Sequence, residues 1–121
     1  MEYVAEGVIL VAAVTNKAVS EEALEEIIRR VAEVAQPERI ILFGSAARGE
    51  MGPNSDVDLL VVKRGTFDHG RLMGDIYESL HGVGQAVDVV VVTPEQVERH
   101  RKTHWRVIAP ALREGREVYH S

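Results

Sequence analysis

The feature that most constrains this chain is the stretch from Arg39 to Val62, RIILFGSAARGEMGPNSDVDLLVV. Ile40, Ile41, Leu42 and Phe43 form a short apolar run that reads as a buried strand and stops at Gly44-Ser45. Gly44 lets the backbone approach a ligand with no side chain in the way, Ser45 supplies a hydroxyl, and Ala46-Ala47-Arg48 suits the opening of a short helix. Such a corner turns backbone N–H groups towards an anion. Ten residues intervene before Asp56-Val57-Asp58, and Leu59 to Val62 then read as a second strand. Side chains two apart on a strand share a face at roughly 7 Å, a spacing that suits divalent ions about 4 Å apart and a bound triphosphate. Two such carboxylates repel without a cation, whereas Mg²⁺ takes hard oxygen ligands and bridges to phosphate oxygens. The economical expectation is a metal-assisted phosphate site.

The bounds on the rest are loose but useful. A chain of 121 residues suits one domain with a real core. Fourteen Lys and Arg against nineteen Asp and Glu give a net charge of −5, which argues against broad sequence-independent nucleic-acid binding while leaving room for a local basic patch. With no cysteine, disulfide frameworks, thiolate zinc sites and cysteine nucleophiles are excluded, and a reducing cytoplasm is the compatible setting. The apolar run Val8 to Val14 is far below the ~20 residues of a membrane span, and Glu2 and Glu6 stand where a signal peptide would be basic. Residues 1–19 are therefore read as an N-terminal extension, an edge strand, a short helix or a partner-facing piece, ahead of a domain over 20–121.

Most of the remaining chain reads as scaffold. Ser20 suits an N-cap, Glu21 and Glu22 the first turn, and Leu24, Ile27, Ile28, Val31 and Val34 the apolar stripe of a helix that Pro37 stops. Gly49, Gly52, Pro53 and Asn54 form a loop, with Ser55 in a local hydrogen-bonding role. Gly44-x4-Gly49 has the outer spacing of a P-loop, but Glu50-Met51 stands where Lys and Ser or Thr are required. Residues 67–82 read as a second amphipathic helix whose face is Leu72, Met73, Ile76, Tyr77 and Leu80, with Tyr77 counted as core. Thr93-Pro94-Glu95-Gln96 carries a capping box for a third helix. A last short helix, interrupted by Pro110, leads to Glu117-Val118-Tyr119.

Two residues ask for more than scaffold. Asp88 interrupts the strand Ala86 to Val92, and an ionised carboxylate there needs solvent, a partner or a metal. With Asp56 and Asp58 already pointing to a cation, Asp88 reads as the third metal-binding carboxylate. Arg48, beside Ser45, would suit triphosphate oxygens through forked hydrogen bonds. The basic run Arg99 to Arg106 reads as a solvated helix with Trp105 half packed, or as a partner surface. His100 and His104 lack the intervening Glu of a zinc helix, and Arg101 and Lys102 oppose a cation.

Gly44-Ser45, ten residues, then Asp56-Val57-Asp58 resembles the signature of the DNA polymerase beta-like nucleotidyltransferases. The wording FGSAARGEMGPNSDVDLLV, the later strand bearing Asp88 and the ending ALREGREVY resemble their minimal, single-domain members over about residues 20–119. The resemblance implies a two-layer α/β domain with a small mixed sheet and helices mainly on one face, whose strands include residues 39–43, 57–63 and 86–92. It implies catalytic, metal-binding Asp56, Asp58 and Asp88, with Asp88 also assisting deprotonation of the acceptor. Nucleotide binding falls to Gly44, Ser45 and Arg48, with Mg²⁺ as a two-ion site and ATP or another NTP as substrate.

Minimal members of this kind resemble the antitoxin half of a pair with a HEPN-family toxin, where AMP passes to a toxin tyrosine. The implied partner is thus a toxin protein rather than a membrane, with self-association left open. Arg99-x4-His104 resembles the ribonuclease motif of HEPN proteins themselves, but three strand-like runs argue against an all-helical bundle. The alternatives are a catalytically idle module that covers its partner, and a small-molecule nucleotidyltransferase, for which the chain leaves no room for an added substrate domain.

Overall fold

A computed structural model describes residues 2–4, 7–9, 21–44, 57–100 and 108–121. The elements are β1 (Glu2–Val4), β2 (Gly7–Ile9), α1 (Glu21–Ala35), β3 (Arg39–Phe43), β4 (Val57–Val62), α2 (His69–Ser79), β5 (Val87–Val92), α3 (Pro94–His100), α4 (Ile108–Glu114) and β6 (Arg116–His120). The strands form one sheet in the order β1-β2-β6-β3-β4-β5. Its β4–β5 pairing is parallel, with α2 as the crossover, and the other pairings are antiparallel.

Alternation along the central strands assigns the two faces. Ile40 and Leu42, Val57, Leu59 and Val61, and Val89 and Val91 lie in the larger core cluster with α1 and α2. Ile41, Leu60, Val62 and Val92 lie in a smaller cluster with Val97 of α3 and Ala111 of α4. The two longer helices therefore cover one face, and two short ones cover part of the other. This is the α/β layering expected, with strands close to their anticipated bounds. The β6 strand carries one extra residue. Ile40 pairs with Tyr119 but Ile41 with Glu117, so Val118 is bulged and both Val118 and Tyr119 reach the larger core. Residues Gly7–Ile9 extend the same sheet beside β6, with Ile9 buried in that core.

Helix ends are closed by long-range partners as well as local caps. The α1 helix stops where Gln36 enters the left-handed region at φ 50° and its N–H bonds the Ala32 carbonyl at 2.9 Å, just before Pro37. Lys63 donates to the Ala35 carbonyl at 2.6 Å. Asp68 caps α2 by accepting from the Arg71 N–H at 3.0 Å. At the other end Arg30 donates to the carbonyls of Ser79 and His81 at 3.0 and 2.8 Å, held in place by Glu26 at 2.7 Å. The capping box of α3 is complete: Thr93 N–H donates to Gln96 Oε1 at 2.9 Å, and Gln96 N–H to Thr93 Oγ1 at 3.1 Å. Ser20, the expected cap of α1, lies outside the described residues. Among the described residues no helix is long and apolar enough to cross a membrane.

Two expectations need correction. Pro110 does not interrupt α4, because it falls in the first turn, where its missing N–H has no intrahelical partner to lose. Tyr77 is not core: Leu72, Ile76 and Leu80 are buried, while Tyr77 is 41 % exposed. It sits at the margin of the apolar stripe, and its hydroxyl accepts from the Val89 N–H at 2.9 Å.

The Glu26–Arg30 link gives a testable stability term. Arg30→Ala should destabilise the fold by roughly 1–2 kcal/mol in urea denaturation, because the carbonyls ending α2 lose a charged donor. The hydrogen bond from Arg30 holds the Glu26 carboxyl below its ordinary pKa of 4.5, with Arg29 adding to the effect. The contribution is therefore present above that ordinary value and is lost as pH falls through the lowered one. Glu26→Gln should flatten the acid limb of a stability–pH curve.

Candidate functional site

The end of β3 and the starts of β4 and β5 meet at one end of the sheet. Phe43 pairs with Asp58 across the antiparallel β3–β4 ladder, and Asp58 pairs with Asp88 across the parallel β4–β5 ladder. Residues in register on adjacent strands stand about 4.8 Å apart in the hydrogen-bonding direction and project from the same face. Asp58 shares its face with Leu60 and Val62, and Asp88 shares its face with Val90 and Val92, so both carboxylates lie on the side bearing the smaller apolar cluster. The register therefore brings together two acids that are far apart in sequence. Asp58 is half-buried on an interior strand, and Asp88 is exposed on the strand at the sheet's edge.

Gly44 completes this corner. It follows β3 with φ +73°, and a Cβ built on it would fall 2.3 Å from Asp58 Oδ2. Two independent constraints thus require glycine: the left-handed backbone, and a carboxylate oxygen occupying the space a side chain would take. The Gly44 backbone and the Asp58 carboxylate are in direct contact range, so the turn and the acid form one unit.

Gly44, Asp58 and Asp88 are thus gathered at one end of three adjacent strands. Ser45, Arg48 and Asp56 lie outside the described residues, as do Ser55, His104 and Trp105. Among the described residues no three His, Cys, Asp or Glu side chains are grouped to hold a metal. Two hard oxygen donors in register, with a glycine cradle against one of them, nevertheless match what a divalent cation takes. Phe43 is the neighbour that motif reading passed over. It is half-buried against the smaller cluster and in register with Asp58, and strand alternation from Ile41 was the signal available for it.

The glycine constraint can be measured. Gly44→Ala should cost about 1–3 kcal/mol in thermal or urea unfolding from strain and overlap together. Gly84 has the same φ of +73° with nothing within 4 Å of its built Cβ, so Gly84→Ala should report the strain alone. The difference between the two should shrink when Asp58 is also replaced by Ala.

Residues 24–115 match the nucleotidyltransferase domain family. Over 81 residues the chain is 33% identical to a protein of Methanocaldococcus jannaschii named "putative protein adenylyltransferase", covering 67% of this chain and 77% of that one. A crystal structure described as a "putative nucleotidyltransferase" from Sulfolobus solfataricus shares 28% identity over 70% of this chain and 82% of its own, with a TM-score of 0.44.

Proposed function

This chain belongs to the nucleotidyltransferase domain family, and from that premise we propose that it transfers AMP from ATP to a hydroxyl of a partner protein. The observation that carries the reading is the in-register Asp58–Asp88 pair beside Gly44. Nucleotidyl transfer needs clustered carboxylates beside a turn that can face phosphate, and the Asp58–Asp88 pair beside Gly44 supports that reading. The name of the methanogen relative supports a protein as the acceptor class.

In this reading Asp58 and Asp88, with Asp56, hold Mg²⁺, and Gly44, Ser45 and Arg48 receive the triphosphate. Bound Mg²⁺ neutralises phosphate charge and stabilises the entering and leaving oxygens. The chain's own residues orient and deprotonate. Gly44 presents backbone free of side-chain obstruction, Arg48 steadies phosphate oxygens, and the exposed Asp88 accepts the acceptor's proton. The freed oxygen bonds to the α-phosphorus, the bond between α- and β-phosphates breaks, and pyrophosphate departs. The exposure of Asp88 supports an acceptor that arrives from outside the domain. The proposed partner is a HEPN-family toxin whose tyrosine is adenylylated in the cytoplasm, which makes this chain an antitoxin.

The test is label transfer from α-³²P-ATP with Mg²⁺ to the protein encoded beside this one. Wild type should label a tyrosine of that neighbour, and Asp58→Asn or Asp88→Asn should lower the rate by at least ~100-fold, as expected for loss of metal-holding groups. Equal labelling by wild type and both variants would contradict the proposal. A stable complex that neutralises the neighbour without label would instead favour an idle module that acts by covering it.

A further inference from the structure

The β5 strand is the open edge of the sheet nearest the carboxylates. Val57 N–H bonds the Ala86 carbonyl and Lys63 N–H bonds the Val92 carbonyl, so the even-numbered carbonyls of β5 face β4. By alternation the Asp88 carbonyl also faces β4, and the N–H of Val89 faces outward. An outward amide on an edge strand ordinarily finds water. Here it donates to the Tyr77 hydroxyl at 2.9 Å. The peptide unit joining Asp88 to Val89 is thus held on its inner side by β4 and on its outer side by Tyr77. A second α2 side chain reaches the same edge farther along, where His69 Nε2 lies 3.3 Å from the Val91 carbonyl oxygen.

Tyr77 is 41 % exposed, so burial alone does not account for where its hydroxyl lies. Its hydroxyl meets the amide immediately after Asp88, the more exposed of the two described acids of the site. We propose that Tyr77 is a positioning residue for Asp88: its hydroxyl fixes the outer side of the Asp88–Val89 peptide and so steadies the Asp88 carboxylate beside Asp58. The inference rests on the nucleotidyl-transfer reading of Asp88. It differs from plain protection of a strand edge, which Tyr77 and His69 would serve alike.

The experiment compares wild type, Tyr77→Phe and His69→Ala by three readouts: label transfer from α-³²P-ATP, Mn²⁺ binding by calorimetry, and hydrogen exchange of the β5 amides. Tyr77→Phe keeps the ring and removes only the hydroxyl. It should lower kcat about 10-fold with the KM for ATP within about twofold, weaken Mn²⁺ binding by a similar factor, and speed exchange at Val89. His69→Ala should stay near wild type in kcat and Mn²⁺ affinity. Wild-type kcat and Mn²⁺ affinity in Tyr77→Phe would overturn the inference while leaving the proposed reaction standing. Equal losses in both variants would also overturn it, in favour of edge protection. If wild type transfers no label, the reaction fails, and the Mn²⁺ comparison alone decides whether Tyr77 positions Asp88.

Discussion

The structure depends above all on the register of β4 against β5. Val57, Leu59 and Val61 on one strand and Val89 and Val91 on the other are buried against α1 and α2. A slip of one residue would turn the odd-numbered set away from that core. Each such side chain is worth about 1.5–3 kcal/mol when fully buried, so several together outweigh the repulsion between two neighbouring carboxylates. Apolar packing on one face thereby fixes acid placement on the other. Asp58 stands beside Asp88 because their neighbours in sequence cannot be moved.

The same arrangement explains the different surroundings of the two acids. Asp58 sits on an interior strand with Phe43 in register and the Gly44 backbone against its carboxylate. Asp88 is exposed on the edge strand β5. One acid is half-buried and the other exposed. Under the proposed transfer, that asymmetry would suit a division between holding a nucleotide and meeting an acceptor. The crossover helix α2 contributes to both, since its buried face packs on the odd-numbered core and its marginal side chains reach the outer edge of β5.

Local features were legible in the sequence where their causes are local. The apolar runs of β3, β4 and β5, the stripe of α1 and the Thr93–Gln96 capping box each depend on a few adjacent residues. Strand order was not legible, because the insertion of β6 between β2 and β3 is decided by pairing across most of the chain. The Gly44 motif announced a tight turn, yet nothing in it showed that Asp58 fills the space of a missing side chain. Tyr77 fits the spacing of the apolar stripe almost as well as Ile76, and only the nearby edge of β5 draws its hydroxyl outward. Both misses concern contacts between elements that sequence periodicity does not encode.

The most direct test of the central claim is paramagnetic broadening of backbone amide signals by Mn²⁺. Strong, saturable broadening should centre on Gly44, Asp58 and Asp88 and be lost together in either Asp58→Asn or Asp88→Asn. Broadening centred elsewhere, or unchanged in both variants, would contradict a cation site built by the β4–β5 register.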